Sequence, residues 1–90
     1  MADMIIKMKV MPEDAETDIE EVLKLCKKAI EDNGGEIHQH EIQPIAFGLK
    51  ALILVIVIDE KKGTNDIENA INEISSVSNG EIIDLRRAFG

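Results

Sequence analysis

The stretch Ala51-Leu52-Ile53-Leu54-Val55-Ile56-Val57-Ile58 decides the fold of this chain. Its eight apolar residues are rich in β-branched side chains and are followed directly by Asp59. A short continuous apolar run between turn residues is typical of a buried strand. It is also too short to span a bilayer. We therefore predict a central strand over Leu49–Ile58, with one face on the core and the other covered by neighbouring side chains or by a partner.

Two strands are predicted before this run. Met4–Met11 alternates between apolar and polar residues, which predicts a half-buried strand that ends at Pro12. Glu36–Gln43 is a weaker strand, since its strongly apolar residues, Ile37 and Ile42, would lie on opposite faces of a regular strand. A bulge or an edge position would explain this spacing.

Two amphipathic helices are predicted from apolar residues at spacings of three and four. Thr17 and Glu20 form a predicted capping box for the first helix, with Thr17 as the N-cap. Asn65 and Glu68 form a second, with Thr64 as an alternative cap. The apolar stripes are Ile19, Val22, Leu23, Cys26 and Ile30 in the first helix, and Ile67, Ala70, Ile71 and Ile74 in the second.

The last strand is predicted over Glu81–Ala88, after a loop over Ser75–Gly80. Its predicted faces are Ile83 with Leu85, and Ile82 with Asp84 and Arg86. The order is then strand, helix, strand, strand, helix, strand. Two such split βαβ units with right-handed crossovers give an α+β, ferredoxin-like βαββαβ fold, with a four-stranded antiparallel sheet and two helices on one face. We expect one domain over residues 1–90.

Composition and charge exclude several classes of function. The chain has 18 acidic and 10 basic residues, a net charge of −8, and this argues against a nucleic-acid backbone as a direct partner. The single cysteine, Cys26, lies on a helix stripe and fits the role of a small buried hydrophobe. Asp3, Lys7 and Lys9 do not fit a signal peptide, and we expect a cytoplasmic protein without a membrane segment.

The segment Gln43–Leu52 contains the clearest candidate for a binding site. Phe47 is one of only two aromatic residues, and it lies between Pro44 and Gly48 in the connection between two strands. An aromatic side chain displayed on a loop suits a contact with another protein. The alternative is that the ring folds back over the core.

Neither a catalytic nor a metal site is predicted. His38 and His40 would face the same side of a regular strand, but a third ligand is not evident, and a solvated polar face is the simpler interpretation. Phosphate-loop, dinucleotide and CxxC motifs are absent, and we expect no cofactor. Arg86 and Arg87 would point to opposite faces, so a regular strand cannot bring both to one site.

Three stretches resemble the guanine-nucleotide-exchange domain of elongation factor 1-beta in its short archaeal form. They are Lys9-Val10-Met11-Pro12, the segment Glu41-Ile42-Gln43-Pro44-Ile45-Ala46-Phe47-Gly48-Leu49-Lys50-Ala51-Leu52, and Asp84-Leu85-Arg86-Arg87. The resemblance implies a ferredoxin-like fold. It also implies a translation factor that binds elongation factor 1-alpha, a GTPase, in its GDP form and speeds GDP release without covalent chemistry.

The resemblance also implies roles for particular residues. The aromatic that matches Phe47 wedges against the GTPase in eukaryotic relatives, and a lysine near their C-terminus reaches the magnesium and phosphate region. In this chain that lysine's place falls at about Gly90, so Arg86 and Arg87 are the candidate cations. The expected partner-binding residues are Pro44, Phe47, Lys50, Arg86 and Arg87. A small-molecule-sensing regulatory module is the alternative, since the same fold serves both classes.

Overall fold

The computed structural model describes residues 3–88 and confirms the predicted fold. The strands are β1 (Asp3–Pro12), β2 (Gly35–Pro44), β3 (Lys50–Asp59) and β4 (Val77–Ala88), and the helices are α1 (Ile19–Asp32) and α2 (Thr64–Asn72). The strands form one antiparallel sheet in the order β2-β3-β1-β4. This is the ferredoxin-like α+β arrangement, and β3 is central in it, as its apolar sequence predicts.

The core lies between one face of the sheet and the two helices. Alternate residues of β1 and β3 point into it, because side chains alternate between the faces of a strand. The helices contribute the predicted stripes, since α1 packs against β2 and β3 and α2 against β4. The fully buried residues of this cluster are Ile6, Met8, Val10, Val22, Cys26, Ile30, Leu52, Leu54, Ile56, Ile67 and Ile71.

The opposite face of β3 is shielded within the sheet itself. Ile53 is only 5% exposed there, and Ala51 is fully buried. Ile53 pairs with Lys9 on one side and with Glu41 on the other. Long polar side chains can cover apolar neighbours with their aliphatic stems. Side chains of the neighbouring strands, one of the two coverings predicted for this face, therefore account for the burial of Ala51 and Ile53, whereas Val55 and Val57 farther along the strand are half-buried.

Both edge strands carry a bulge. In β2 the register shifts between Ile37 and Gln39, so that Ile37 and Ile42 pair with core-facing residues of β3. This confirms the bulge and the edge position predicted from their spacing. In β4 a shift opposite Lys7 and Met8 places Ile82 and Leu85 on the same face of the sheet as the helices, where Ile82 packs on the core and Leu85 stays half exposed. The predicted division of β4 into faces was therefore wrong, because it assumed a regular strand.

The predicted caps and the start of β4 also need correction. Asp18, rather than Thr17, caps α1, and its carboxylate accepts from the backbone N–H of Glu20. The N-cap of α2 is Gly63, and no side chain caps that helix. β4 begins at Val77, inside the segment predicted as a loop, because pairing with β1 extends it. Among the described residues, no helix has both the length and the apolar character needed to cross a membrane.

Candidate functional site

The connection between β2 and β3 is a tight hairpin turn. Pro44 and Lys50 are the last paired residues, and beyond them the N–H of Ile45 donates to the carbonyl of Leu49 at 2.7 Å. The N–H of Leu49 donates to the carbonyl of Ala46 at 3.3 Å, which closes a four-residue turn. Its two central residues have positive φ, 64° at Phe47 and 77° at Gly48. Two successive left-handed residues are the mark of a type I′ turn, which suits the twist of hairpin strands.

Phe47 stands at the first central position of this turn and is almost fully in solvent. It is 95% exposed, so the ring does not fold back over the core. It is also the single residue other than glycine with positive φ in the part of the chain that the structure describes. That conformation costs an L-residue roughly 1–2 kcal/mol. Burial of the ring does not offset this cost, and strain of this kind concentrates at functional sites.

The loop between β1 and α1 lies next to the turn. A Cβ placed on Gly48 would stand 3.8 Å from the Cβ of Ala15 in that loop. Lys50 contributes to a surface pocket of about 210 Å³ on this side, whose other lining residues come from the end of β1, the loop and the start of α1. The loop carries Glu13, Asp14, Glu16 and Asp18. The loop next to the turn is therefore acidic, and Lys50 lines the same pocket as Asp14 and Asp18.

The predicted site residues fall into two groups at opposite ends of the sheet. Pro44, Phe47 and Lys50 share the hairpin end. Arg86 pairs with Ile5, which pairs in turn with Val57, seven residues along β3 from Lys50. At a strand rise of 3.3 Å per residue, the two ends are about 23 Å apart. One compact patch cannot contain all five residues.

The two arginines at the far end are exposed and paired with carboxylates. Nε of Arg86 lies 2.9 Å from Asp84, and Nε of Arg87 lies 3.4 Å from Glu60. Arg86 points to the open face of the sheet and Arg87 to the helix-covered face, as their adjacent positions predict. Exposed pairs of this kind contribute little to stability, so both guanidinium groups can exchange partners at small cost. Gly90, the position of the family lysine, lies outside the described residues.

The remaining candidates do not form a reactive centre. The bulge in β2 falls at His38, so the regular alternation expected to align His38 with His40 is broken. Among residues 3–88 no group of three or more potential ligands is close enough to hold a metal ion. Burial raises the pKa of the Cys26 thiol to about 12, and this keeps the sulfur protonated and unreactive.

The strained backbone of Phe47 is the feature that the sequence analysis missed. The dipeptide Phe47-Gly48 occupies the two central positions of the turn, where type I′ turns usually carry Asn-Gly or Asp-Gly. Glycine at the second position, between two predicted strands, was a signal for such a turn. Nothing in the sequence indicated that the acidic loop lies close to this turn, because that closeness depends on how β1 and β3 are paired.

Comparisons of the amino-acid sequence with known proteins assign this chain to a family. Residues 5–88 match the family described as the EF-1 guanine nucleotide exchange domain. Elongation factor 1-beta of Methanothermobacter thermautotrophicus is 41% identical over 88 residues, which cover 97% of this chain and 98% of the relative. Elongation factor 1-beta of Methanosarcina barkeri is 40% identical over 89 residues, which cover 97% and 99%. That of Archaeoglobus fulgidus is 42% identical over 87 residues, which cover 94% and 97%. The chain therefore belongs to the elongation factor 1-beta family of translation elongation factors.

Proposed function

We propose that this protein is a guanine nucleotide exchange factor for elongation factor 1-alpha. It binds the GDP form of that GTPase in the cytoplasm and accelerates GDP release without covalent chemistry. The family match supports the class of function. The observation that carries the proposal is the fully exposed Phe47, held on a tight turn in a backbone conformation that its own side chain disfavours.

An exchange factor works by differential binding. A GTPase retains its nucleotide through contacts to the phosphates and to Mg²⁺, and a partner weakens these only by favouring a conformation in which they are poorer. The same coupling makes nucleotide weaken the binding of the exchange factor. Tight association with the nucleotide-free GTPase, reversed by added GDP, is therefore expected.

Phe47 is well suited to supply the binding energy. Burying a phenylalanine side chain in a partner is worth about 1.5–3 kcal/mol, or roughly 10- to 150-fold in affinity. The backbone of the turn is already fixed by the bonds between Ile45 and Leu49 and between Leu49 and Ala46. Little ordering is then required on binding, and more of the burial energy remains for association.

Lys50, Arg86 and Arg87 are the proposed electrostatic contacts. Lys50 and Pro44 would flank the ring at the hairpin end. The arginines would contact the GTPase at the other end of the sheet, about 23 Å away by the strand rise, Arg86 from the open face and Arg87 from the helix-covered face. The proposed interface is thus extended along the sheet. Because the two groups do not touch, their contributions should be additive.

The size of the surface pockets weighs against the regulatory-module alternative. Three pockets formed by described residues measure about 210, 240 and 230 Å³. Sites for small-molecule ligands usually enclose about 300–1,000 Å³. A protein partner fits these shallow depressions better than a buried metabolite does.

Release of fluorescent GDP from purified elongation factor 1-alpha tests the proposal. We expect the wild-type protein to accelerate GDP release. At subsaturating concentration, the acceleration by Phe47→Ala should be at least tenfold smaller than that by wild type. Leu25→Ala is the matched control, since Leu25 is an apolar residue of α1 that is 40% exposed. It should behave as wild type. Absence of acceleration by saturating wild-type protein would overturn the function, whereas full activity of Phe47→Ala would remove only Phe47 from the interface.

A further inference from the structure

Gly48 is the residue that makes the turn at Phe47 possible. In a type I′ turn both central residues must adopt positive φ, and asparagine, aspartate or glycine usually fill them. Here the first position is a bulky aromatic residue, which disfavours that conformation. Gly48 adopts its φ of 77° without a steric penalty, since it has no Cβ. With glycine at the second position, Phe47 is the one strained residue of the turn.

The space around Gly48 shows that its role is conformational. A Cβ at this position would meet one heavy atom outside the adjacent residues, the Cβ of Ala15, at 3.8 Å. That distance is an ordinary van der Waals contact. A Cβ at position 48 would therefore fit, and its conflict would be with the positive φ of the backbone. We therefore expect a substitution here to act first on the shape of the turn.

We propose that Gly48 is a positioning residue for nucleotide exchange, which holds the turn in the form that projects Phe47 into solvent. This inference rests on the proposed exchange function. A β-branched residue at position 48 would place two adjacent disfavoured residues in the turn. The chain would then favour other turn geometries between Leu49 and Ile45, and in these the ring would leave its projecting position.

The expected effect follows from the population of the competent turn. A β-branched residue lowers that population by roughly 5- to 30-fold, equivalent to about 1–2 kcal/mol at 1.4 kcal/mol per factor of ten. The apparent dissociation constant rises by the same factor, because only the competent fraction binds. Saturating concentrations restore the competent form, so the maximal rate of GDP release should stay close to that of wild type.

The test measures GDP release against concentration for wild type, Gly48→Val and Gly48→Asn. Gly48→Val should need a roughly 5- to 30-fold higher concentration for half-maximal effect, with its maximal rate kept. Gly48→Asn should stay within about threefold of wild type, because asparagine tolerates the left-handed region. Gly63→Ser is the control, since Gly63 is also an exposed turn glycine but has a φ of −78°. It should leave the concentration dependence unchanged.

A second measurement makes a structural role distinguishable from a positioning role. The three-bond coupling and NOE pattern of the Phe47 amide report its φ, which should leave the left-handed region in Gly48→Val. The domain should stay cooperatively folded, with a melting temperature lowered by no more than the strain in the turn accounts for. Acceleration by wild type together with an unchanged half-maximal concentration for Gly48→Val would overturn the positioning role alone. Failure of wild type to accelerate release would overturn the exchange function itself.

Discussion

Replacing Phe47 with glycine should leave the fold more stable than replacing it with alanine. The ring is 95% exposed, so its removal forfeits almost no burial, and Phe47→Ala should melt close to wild type. Glycine also removes the strain at φ 64°, worth about 1–2 kcal/mol. The greater freedom of glycine in the unfolded chain offsets about 0.5–1 kcal/mol of this gain. The net advantage of glycine over alanine is thus roughly 0–1.5 kcal/mol, with a central value of about 0.75 kcal/mol.

A difference of that size is measurable as a shift in melting temperature. For a domain of this length, 1 kcal/mol corresponds to about 4–8 °C, so at the central value the glycine variant should melt roughly 3–6 °C above the alanine variant. Because the chain has no tryptophan or tyrosine, calorimetry or circular dichroism is the appropriate assay. Both variants should lose exchange activity. A glycine variant that melts below the alanine variant would refute the argument that the turn stores strain for the sake of the ring.

Two further predictions concern the scaffold. Gly80→Ala should destabilise the fold by about 1–3 kcal/mol in chemical denaturation, because the new Cβ would lie 2.8 Å from Cγ2 of Ile71. The backbone cannot easily move away, since Asn72 hydrogen-bonds both the N–H and the carbonyl of Gly80. An unchanged denaturation midpoint would show that α2 shifts freely. The Cys26 pKa of about 12, against an ordinary value of 9.0, means that between pH 9 and 12 the folded state keeps a proton that the unfolded state loses. Stability should therefore fall with rising pH across that range relative to Cys26→Val, and equal pH profiles for the two proteins would contradict the burial argument.

Hydrophobic periodicity was enough to predict the strands and helices and their order along the chain. The alternation in β1 corresponds to a strand with one buried face, and the unbroken apolar run in β3 corresponds to a strand that is mostly buried. The spacing of Ile37 and Ile42 even predicted the bulge in β2, because one side of that strand must face the core. These patterns are local, and each is imposed by burial on a particular face.

Local hydrogen bonding explains where the sequence analysis failed at the helix ends. Thr17 was the predicted cap, but its hydroxyl donates to the carboxylate of Asp14 and accepts from the N–H of the same residue. The adjacent Asp18 caps the helix instead. Short polar side chains compete for the same backbone groups, and a motif alone does not decide which of two neighbours succeeds.

By itself, the sequence determined the βαββαβ order and the core stripes and singled out Phe47 as a candidate contact, because periodicity and turn composition act over a few residues. Whether the ring is displayed or folds back was decided by the structure. Only the tertiary structure decided that Phe47 is held in the left-handed region, that an acidic loop lies next to its turn, and that Arg86 and Arg87 lie at the other end of the sheet. These features depend on strand register, which is fixed by pairing between residues far apart in the chain.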